Sequence, residues 1–259
     1  MQNSNEHVKS KGAIIFANNT EDTDYVSIAM ANARLIERYL EIPTSIITME
    51  ESSSNKRLDA TTGKVVEWKN KGRSQAYDAS PYDETLLIDA DYLILDQDLK
   101  AIFDIVGDYM LFDKNLYATD PSISETMGTY SLPFVWATAV FFRKTERAKK
   151  LFDLVKVIEK NYPYYRALYN IEVGNYRNDY AFAIAHYILN GYSMSDKEYI
   201  PWPMITVPGV LNTLEIQDNR IAVRTPDKAY LFPKQSIHIL SKHYLQTENF
   251  RKFVESSLA

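Results

Sequence analysis

The sequence predicts an α/β domain, on three features: an apolar run, an amphipathic helix and a second apolar run at the start; a later apolar run that ends in acidic residues; and two further helical patterns in the second half. Ala13-Ile14-Ile15-Phe16-Ala17 is continuously apolar and is followed by polar Asn18-Asn19-Thr20, the pattern of a buried strand that ends in a loop. In an open α/β sheet, ligands gather at such carboxyl ends. From Tyr25 to Leu40, the residues Val26, Ala29, Met30, Ala33, Ile36 and Leu40 recur at helical spacing, with Arg34, Glu37 and Arg38 on the other side, and Pro43 closes the helix region. Ser45-Ile46-Ile47-Thr48 then reads as a second strand, which makes a β-α-β opening with a right-handed crossover.

Between Glu50 and Ser80 the pattern dissolves into Ser, Asn, Lys, Thr and Gly, with Trp68, Arg73 and Tyr77 embedded in it, so the segment reads as a long loop. Order returns at Thr85-Leu86-Leu87-Ile88, a strand that runs into Asp89-Ala90-Asp91 and continues as Tyr92-Leu93-Ile94-Leu95. Later come a strand at Ala137 to Phe142 and a helix from Glu146 to Glu159 with Ala148, Leu151, Phe152, Val155 and Ile158 on one face. A further helix begins near Asn178, with Gly191 suited to its C-terminal cap, and short strands follow near Ile221, Tyr230 and Ile237.

With 259 residues, 46% of them hydrophobic, the chain can bury one substantial core, so a flexible N-terminus at residues 1–12 and a single domain over 13–259 are expected. There is no cysteine, which excludes disulfides, thiolate metal sites and cysteine nucleophiles and leaves any metal to oxygen and imidazole ligands. The polar start lacks the apolar segment of a signal peptide and no later run reaches membrane-spanning length, so a cytoplasmic location is expected. A net charge of −5 argues against a broad nucleic-acid-gripping surface.

Carboxylates lose solvation on burial, so Asp89 and Asp91 at the end of an apolar strand call for a cation or for hydrogen bonds. Residues two apart on an ideal strand face the same way and could approach one Mg²⁺ or Mn²⁺ ion. The competing reading is a strand-to-turn junction where Asp caps backbone N–H groups. Near the end of the chain, Ser236-Ile237-His238-Ile239-Leu240-Ser241-Lys242-His243 supplies an imidazole among apolar neighbours and a lysine that can meet a diphosphate as a point charge.

Taken together, the strand Ala13 to Ala17, the helix from Tyr25, the turn Ser80-Pro81-Tyr82 leading into Leu86-Leu87-Ile88-Asp89-Ala90-Asp91, and the pair His238 and Lys242 resemble the GT-A nucleotide-sugar glycosyltransferases. The likeness is to glycogenin-like and lipopolysaccharide galactosyltransferase-like members, phage-borne relatives included. It implies a Rossmann-like mixed central sheet flanked by helices, a nucleoside-diphosphate sugar as donor, UDP-sugar above all, and Mn²⁺ or Mg²⁺. It also implies Asp91 and His238 as metal ligands, Asp89 on metal or ribose, Lys242 at the diphosphate, and Ala17, Asn18 and Tyr25 against the base and ribose. The glycine and the proline-tryptophan that usually surround the late lysine in that family are absent here.

Arg73 reads either as a group reaching the base or a phosphate or as part of a solvated basic loop. Asp179, in Arg177-Asn178-Asp179, reads as an acid near the reacting carbon, as a helix N-cap, or as both. Trp136 suits a sugar pocket or, better, the core; His186 reads as structural and His243 as a surface group. Lys144, Arg147, Lys149 and Lys150 could touch phosphate or simply solvate a helix face. The acceptor stays open among a hydroxymethylated base in phage DNA, a glycan, a lipid and a protein. Two competing functions are a sugar nucleotidyltransferase and a non-catalytic sugar- or nucleotide-binding domain. The loop Asn18-Asn19-Thr20-Glu21-Asp22 disfavours the first, being acidic and glycine-free where a triphosphate cradle is wanted.

Overall fold

The computed structural model describes residues 9–49, 55–58, 63–69, 72–117, 126–193 and 198–258. The expectation of a flexible start falls partly outside them, at residues 1–8. Along the chain run β1 (Lys11–Phe16), α1 (Tyr25–Leu40), β2 (Thr44–Ile47), β3 (Asn55–Leu58), β4 (Val65–Trp68), α2 (Ala76–Ala79), β5 (Glu84–Ile88), β6 (Tyr92–Leu93), β7 (Tyr109–Phe112), β8 (Asn115–Tyr117) and β9 (Trp136–Arg143). The second half adds α3 (Glu146–Lys160), α4 (Tyr162–Leu168), α5 (Asn178–Leu189), β10 (Met204–Val207), β11 (Thr213–Gln217), β12 (Arg220–Arg224), β13 (Ala229–Pro233), β14 (Ile237–Ile239) and α6 (Glu248–Leu258).

The central sheet has the order β2-β1-β5-β9-β7. Strands β2, β1 and β5 are parallel, while β9 runs antiparallel to β5 and β7, so the sheet is mixed. Its strands alternate between two cores: Leu86 and Ile88 of β5 join the cluster that holds Leu35 and Ile36 of α1 and Phe250 of α6, and Leu87 joins the cluster that holds Phe152 of α3 and Phe182 of α5. Helices therefore cover both faces, as expected of an α/β domain, and each fully buried Leu or Ile contributes about 1.5–3 kcal/mol. A second sheet, β6-β14-β10-β8, and an antiparallel sheet, β11-β12-β13, extend from this frame.

Strand β1 starts at Lys11, inside the segment expected to be flexible. Gly12 explains the early start, since a side chain there would collide with the ring of Tyr82, and Ser10 is bound to Asp83 through its N–H (2.9 Å) and its hydroxyl (2.8 Å). The buried face of α1 is Ile28, Ala29, Asn32, Leu35, Ile36 and Leu40, rotated from the expected one, and Met30 is exposed. In α3 the buried residues are the five expected. Gly191 follows α5 with φ of +57°, the left-handed conformation that favours glycine after a helix. Within the stretch expected to be loop, residues 55–58 and 65–68 form the β3-β4 hairpin, and Arg73–Gln75 form a 3₁₀ turn ahead of α2. Among the described residues no helix is long and apolar enough to cross a membrane.

Candidate functional site

Asp89 and Asp91 do not interrupt one strand. They form the turn that carries the chain from β5 in the central sheet to β6 in the second sheet. The Asp89 N–H donates to the Thr138 carbonyl (2.9 Å), and the Tyr92 N–H closes the turn on the Asp89 carbonyl (3.1 Å). Sequence reasoning missed the residue that braces it. Asn32 of α1, fully buried, donates to the Tyr92 carbonyl (2.7 Å) and the Asp89 carbonyl (3.4 Å) and accepts from the Ile94 N–H (3.2 Å). A polar residue on the buried side of an amphipathic helix was the available signal, because a buried amide must find partners.

The turn meets β14. Asp91 accepts the Ile239 N–H through its carbonyl (2.9 Å), and His238, paired with Tyr92 on one side and Thr206 on the other, presents Nε2 3.5 Å from Asp91 Oδ2. Asp96 fixes the start of β14 by accepting from the Ser236 N–H (2.6 Å) and hydroxyl (3.0 Å). Lys242 Nζ is bound to the same Asp91 Oδ2 and donates to the Ile239 carbonyl (3.1 Å). Burial by itself raises the Asp91 carboxyl, but the charges of Lys242 and His238 outweigh it and hold the group well below the usual carboxylate range. One ligand atom each from Asp89, Asp91 and His238 lies within 4.8 Å of the other two. Two carboxylates and an imidazole suit Mn²⁺ or Mg²⁺, and His238 Nδ1 is buried without a hydrogen-bond partner among the described residues.

Arg73 reaches the same turn from the other side. It is only 6% exposed, so the solvated-loop alternative does not hold. Its Nη1 binds Asp89 Oδ1 and its Nη2 binds the Ala137 carbonyl. Burial pulls the guanidinium down to about 10, against the opposing charges of Asp179 and Asp91. The Ala137 N–H in turn donates to Asp179 Oδ1 (2.9 Å), and Arg177 holds Asp179 Oδ2 (2.8 Å). Asp179 sits within the first turn of α5 and does not cap it; the N-cap is Arg177, which makes no side-chain capping bond.

The loop after β1 lies close by in the fold's hydrogen bonding. Ala17 is buried and its N–H donates to the Ile47 carbonyl (3.0 Å), Asn18 Oδ1 accepts the Met49 N–H (2.8 Å), and half-buried Tyr25 opens α1. Gln246 ties this loop to the Lys242 turn. Its Oε1 accepts the Asp24 N–H (3.0 Å), and its Nε2 donates to the carbonyls of Asp22 (3.2 Å) and Lys242 (3.3 Å).

Trp136 stacks on Phe134 in the core, with ring centroids 5.0 Å apart. His186 is buried in a separate network with the hydroxyls of Tyr109 (3.2 Å) and Tyr199 (2.9 Å), in line with a structural role. The basic start of α3 is largely engaged internally: Arg147 binds Glu198 (2.6 Å), Lys149 binds Asp153 (2.7 Å), and Lys144 lies 4.6 Å from the centre of the Tyr77 ring.

No protein-family model and no curated protein matches the chain. Among solved structures it is similar to the glycosyltransferase GlyE of Streptococcus pneumoniae TIGR4, at 12% identity and a TM-score of 0.39, over 69% of this chain and 43% of that one. The chain thus spans less than half of GlyE. The galactosyltransferase LgtC, solved with donor and acceptor sugar analogs, is similar at 13% identity and a TM-score of 0.40, over 67% of this chain and 70% of that one. The inositol-1-phosphate CTP transferase from T. maritima is similar at 8% identity and a TM-score of 0.39, over 96% of this chain and 97% of that one. These likenesses are distant, and the chemistry rests on the side chains described above.

Proposed function

We propose that the chain is a metal-dependent GT-A glycosyltransferase that moves a hexosyl or pentosyl group from a nucleoside-diphosphate sugar, a UDP-sugar first of all, to an acceptor hydroxyl. One observation carries this reading: Asp89, Asp91 and His238, drawn from two sheets, converge within 4.8 Å at the carboxyl end of β5, with Lys242 on Asp91. That is where an open α/β sheet places its ligands.

In this reading Asp91 and His238 hold Mn²⁺ or Mg²⁺, and Asp89 holds the metal or the ribose. When bound, such an ion supplies charge neutralisation to the departing diphosphate. Lys242 pairs with the diphosphate, Arg73 fixes Asp89 from its buried place, and Ala17, Asn18 and Tyr25 line the base and ribose. Asp179 stands on the sugar side. Each of its oxygens already accepts a hydrogen bond, Oδ1 from Ala137 and Oδ2 from Arg177, which favours stabilising positive charge at the anomeric carbon over taking a proton. That role fits retention of configuration, the outcome toward which the glycogenin-like resemblance leans.

The test is a donor screen with UDP-, GDP- and other nucleotide sugars plus Mn²⁺ or Mg²⁺, scored by release of the nucleoside diphosphate. Turnover should require metal and disappear in Asp91→Asn and His238→Ala while circular dichroism stays unchanged. Equal turnover in chelator would remove the metal from the mechanism. Pyrophosphate release from a nucleoside triphosphate and a sugar 1-phosphate would turn the reading to nucleotidyl transfer.

A further inference from the structure

Each acid of the turn already carries one of the protein's own cations: Arg73 on Asp89 and Lys242 on Asp91. The two attachments differ in kind. Arg73 is buried and its planar fork is fixed at both ends, by Asp89 and by the Ala137 carbonyl, so it stays in place. Lys242 is a single ammonium on a flexible four-carbon stem, held by Asp91 and the Ile239 carbonyl. It also takes the critical oxygen. Asp91 Oδ2 is the atom 3.5 Å from His238 Nε2, so an ion shared by Asp91 and His238 through that oxygen competes with the Lys242 ammonium for it.

We propose that Lys242 is a resident counter-ion of the metal site, which a divalent cation replaces together with an anionic diphosphate that takes the ammonium over. The inference rests on the metal reading given above and adds a binding rule to it. A bare divalent ion must evict an ammonium that then has no anion to meet, so it binds weakly. A metal with its diphosphate offers the ammonium a new partner, so the two enter together. The link from Lys242 through Gln246 to the loop of Asp22 and Asp24 keeps the released side chain beside the segment proposed to hold the nucleotide.

The test is calorimetric titration of MnCl₂ into wild type, Lys242→Met and Lys242→Arg, each without nucleotide and with UDP, after circular dichroism has shown native folding. Lys242→Gln stands in for the methionine variant if that one fails to fold. Without UDP, Lys242→Met should bind Mn²⁺ about tenfold more tightly than wild type, while Lys242→Arg, which keeps the charge, should not gain. UDP should strengthen Mn²⁺ binding more in wild type than in Lys242→Met. If wild type binds Mn²⁺ and Lys242→Met binds it equally or more weakly without UDP, the counter-ion inference is overturned and the metal reading stands. If none of the proteins binds Mn²⁺ with or without UDP, both fall.

Discussion

Arg73 and Asp89 are joined side chain to side chain across the mouth of the turn, and the same guanidinium holds the Ala137 carbonyl while Asp179 holds the Ala137 N–H. The two acids proposed to serve opposite sides of the donor are therefore set by one arginine and one peptide group. Arg73→Met leaves the Asp89 carboxylate and a carbonyl without their donor. Breaking a buried pair by removing one partner costs about 3–5 kcal/mol, and the 34% exposure of the Asp89 side chain lowers that to about 2–3 kcal/mol. Arg73→Lys retains the charge but not the fork, and should lose about half as much. Urea unfolding measures both; an Arg73→Met protein within about 0.5 kcal/mol of wild type would show that the pair holds nothing together.

Asn32 should act on the turn rather than on the core alone. Asn32→Leu removes three hydrogen bonds to backbone groups at and beyond the turn, and each buried group left unpaired costs about 1–3 kcal/mol. A loss near 3 kcal/mol is expected, with a fall in Mn²⁺ affinity of about tenfold. Ile36→Val, on the same buried face, separates the two effects: it should cost about 1 kcal/mol and leave Mn²⁺ affinity unchanged. If both variants shift Mn²⁺ affinity in proportion to lost stability, Asn32 is a core residue and not a brace.

The same residue marks the limit of what could be read from the sequence. The β-α-β opening, the acid-ended strand and the apolar face of α3 were legible because continuous apolar runs and helical spacing encode them directly. The face of α1 was not, since its polar Asn32 points inward for the sake of the turn while the apolar Met30 stays in solvent. Strand β10 escaped notice as four residues between Pro203 and Pro208, and β7 as four residues after a mixed segment whose Leu99, Ile102 and Phe103 already serve the core without strand alternation. In the site, no spacing rule could join Asp91 to Lys242 across 151 residues; the family resemblance put Asp91 and His238 on one metal and Lys242 at the diphosphate, and the contact of Lys242 with Asp91 is made only by the tertiary fold. The depth of Arg73 was hidden because a polar run surrounds it, and only the tertiary fold closes over it.

The pH dependence of stability should carry the signature of His186. Burial pulls its imidazole down to about 4, with Glu198 opposing and Arg147 assisting, while the hydroxyls of Tyr109 and Tyr199 bond the ring. An unfolded histidine takes its proton near pH 6.5, so between pH 6.5 and 4 the unfolded chain binds the extra proton and stability falls as pH falls. At about 1.36 kcal/mol per pH unit of that gap, roughly 3 kcal/mol is present above pH 6.5 and lost by pH 4. His186→Gln should be less stable at pH 7 but flatter over that range, as read from urea midpoints at pH 7, 5.5 and 4. Parallel profiles for the two proteins would take His186 out of the acid response.

Asp179 gives the sharpest separation between binding and chemistry. Its carboxylate is held by the Ala137 N–H and by Arg177, so Asp179→Asn can keep a carbonyl oxygen facing the Ala137 N–H while losing the charge. Little structural disturbance is expected, on the order of 1 kcal/mol from the weakened Arg177 contact, whose partners are partly screened by solvent. Metal and UDP affinity should stay within about twofold of wild type, because among the described residues the hydrogen bonds of Asp179 go to Ala137 and Arg177 rather than to the proposed metal ligands or the loop after β1. Glycosyl transfer should fall by about a hundredfold or more in kcat, the loss expected when a charge aimed at the developing cation disappears. Proton NMR of the first-formed product reads the anomeric configuration. Retention in wild type, with a kcat defect in Asp179→Asn, supports the stabilising role; inversion would make Asp179 a general base and require one of its oxygens to leave its present partner.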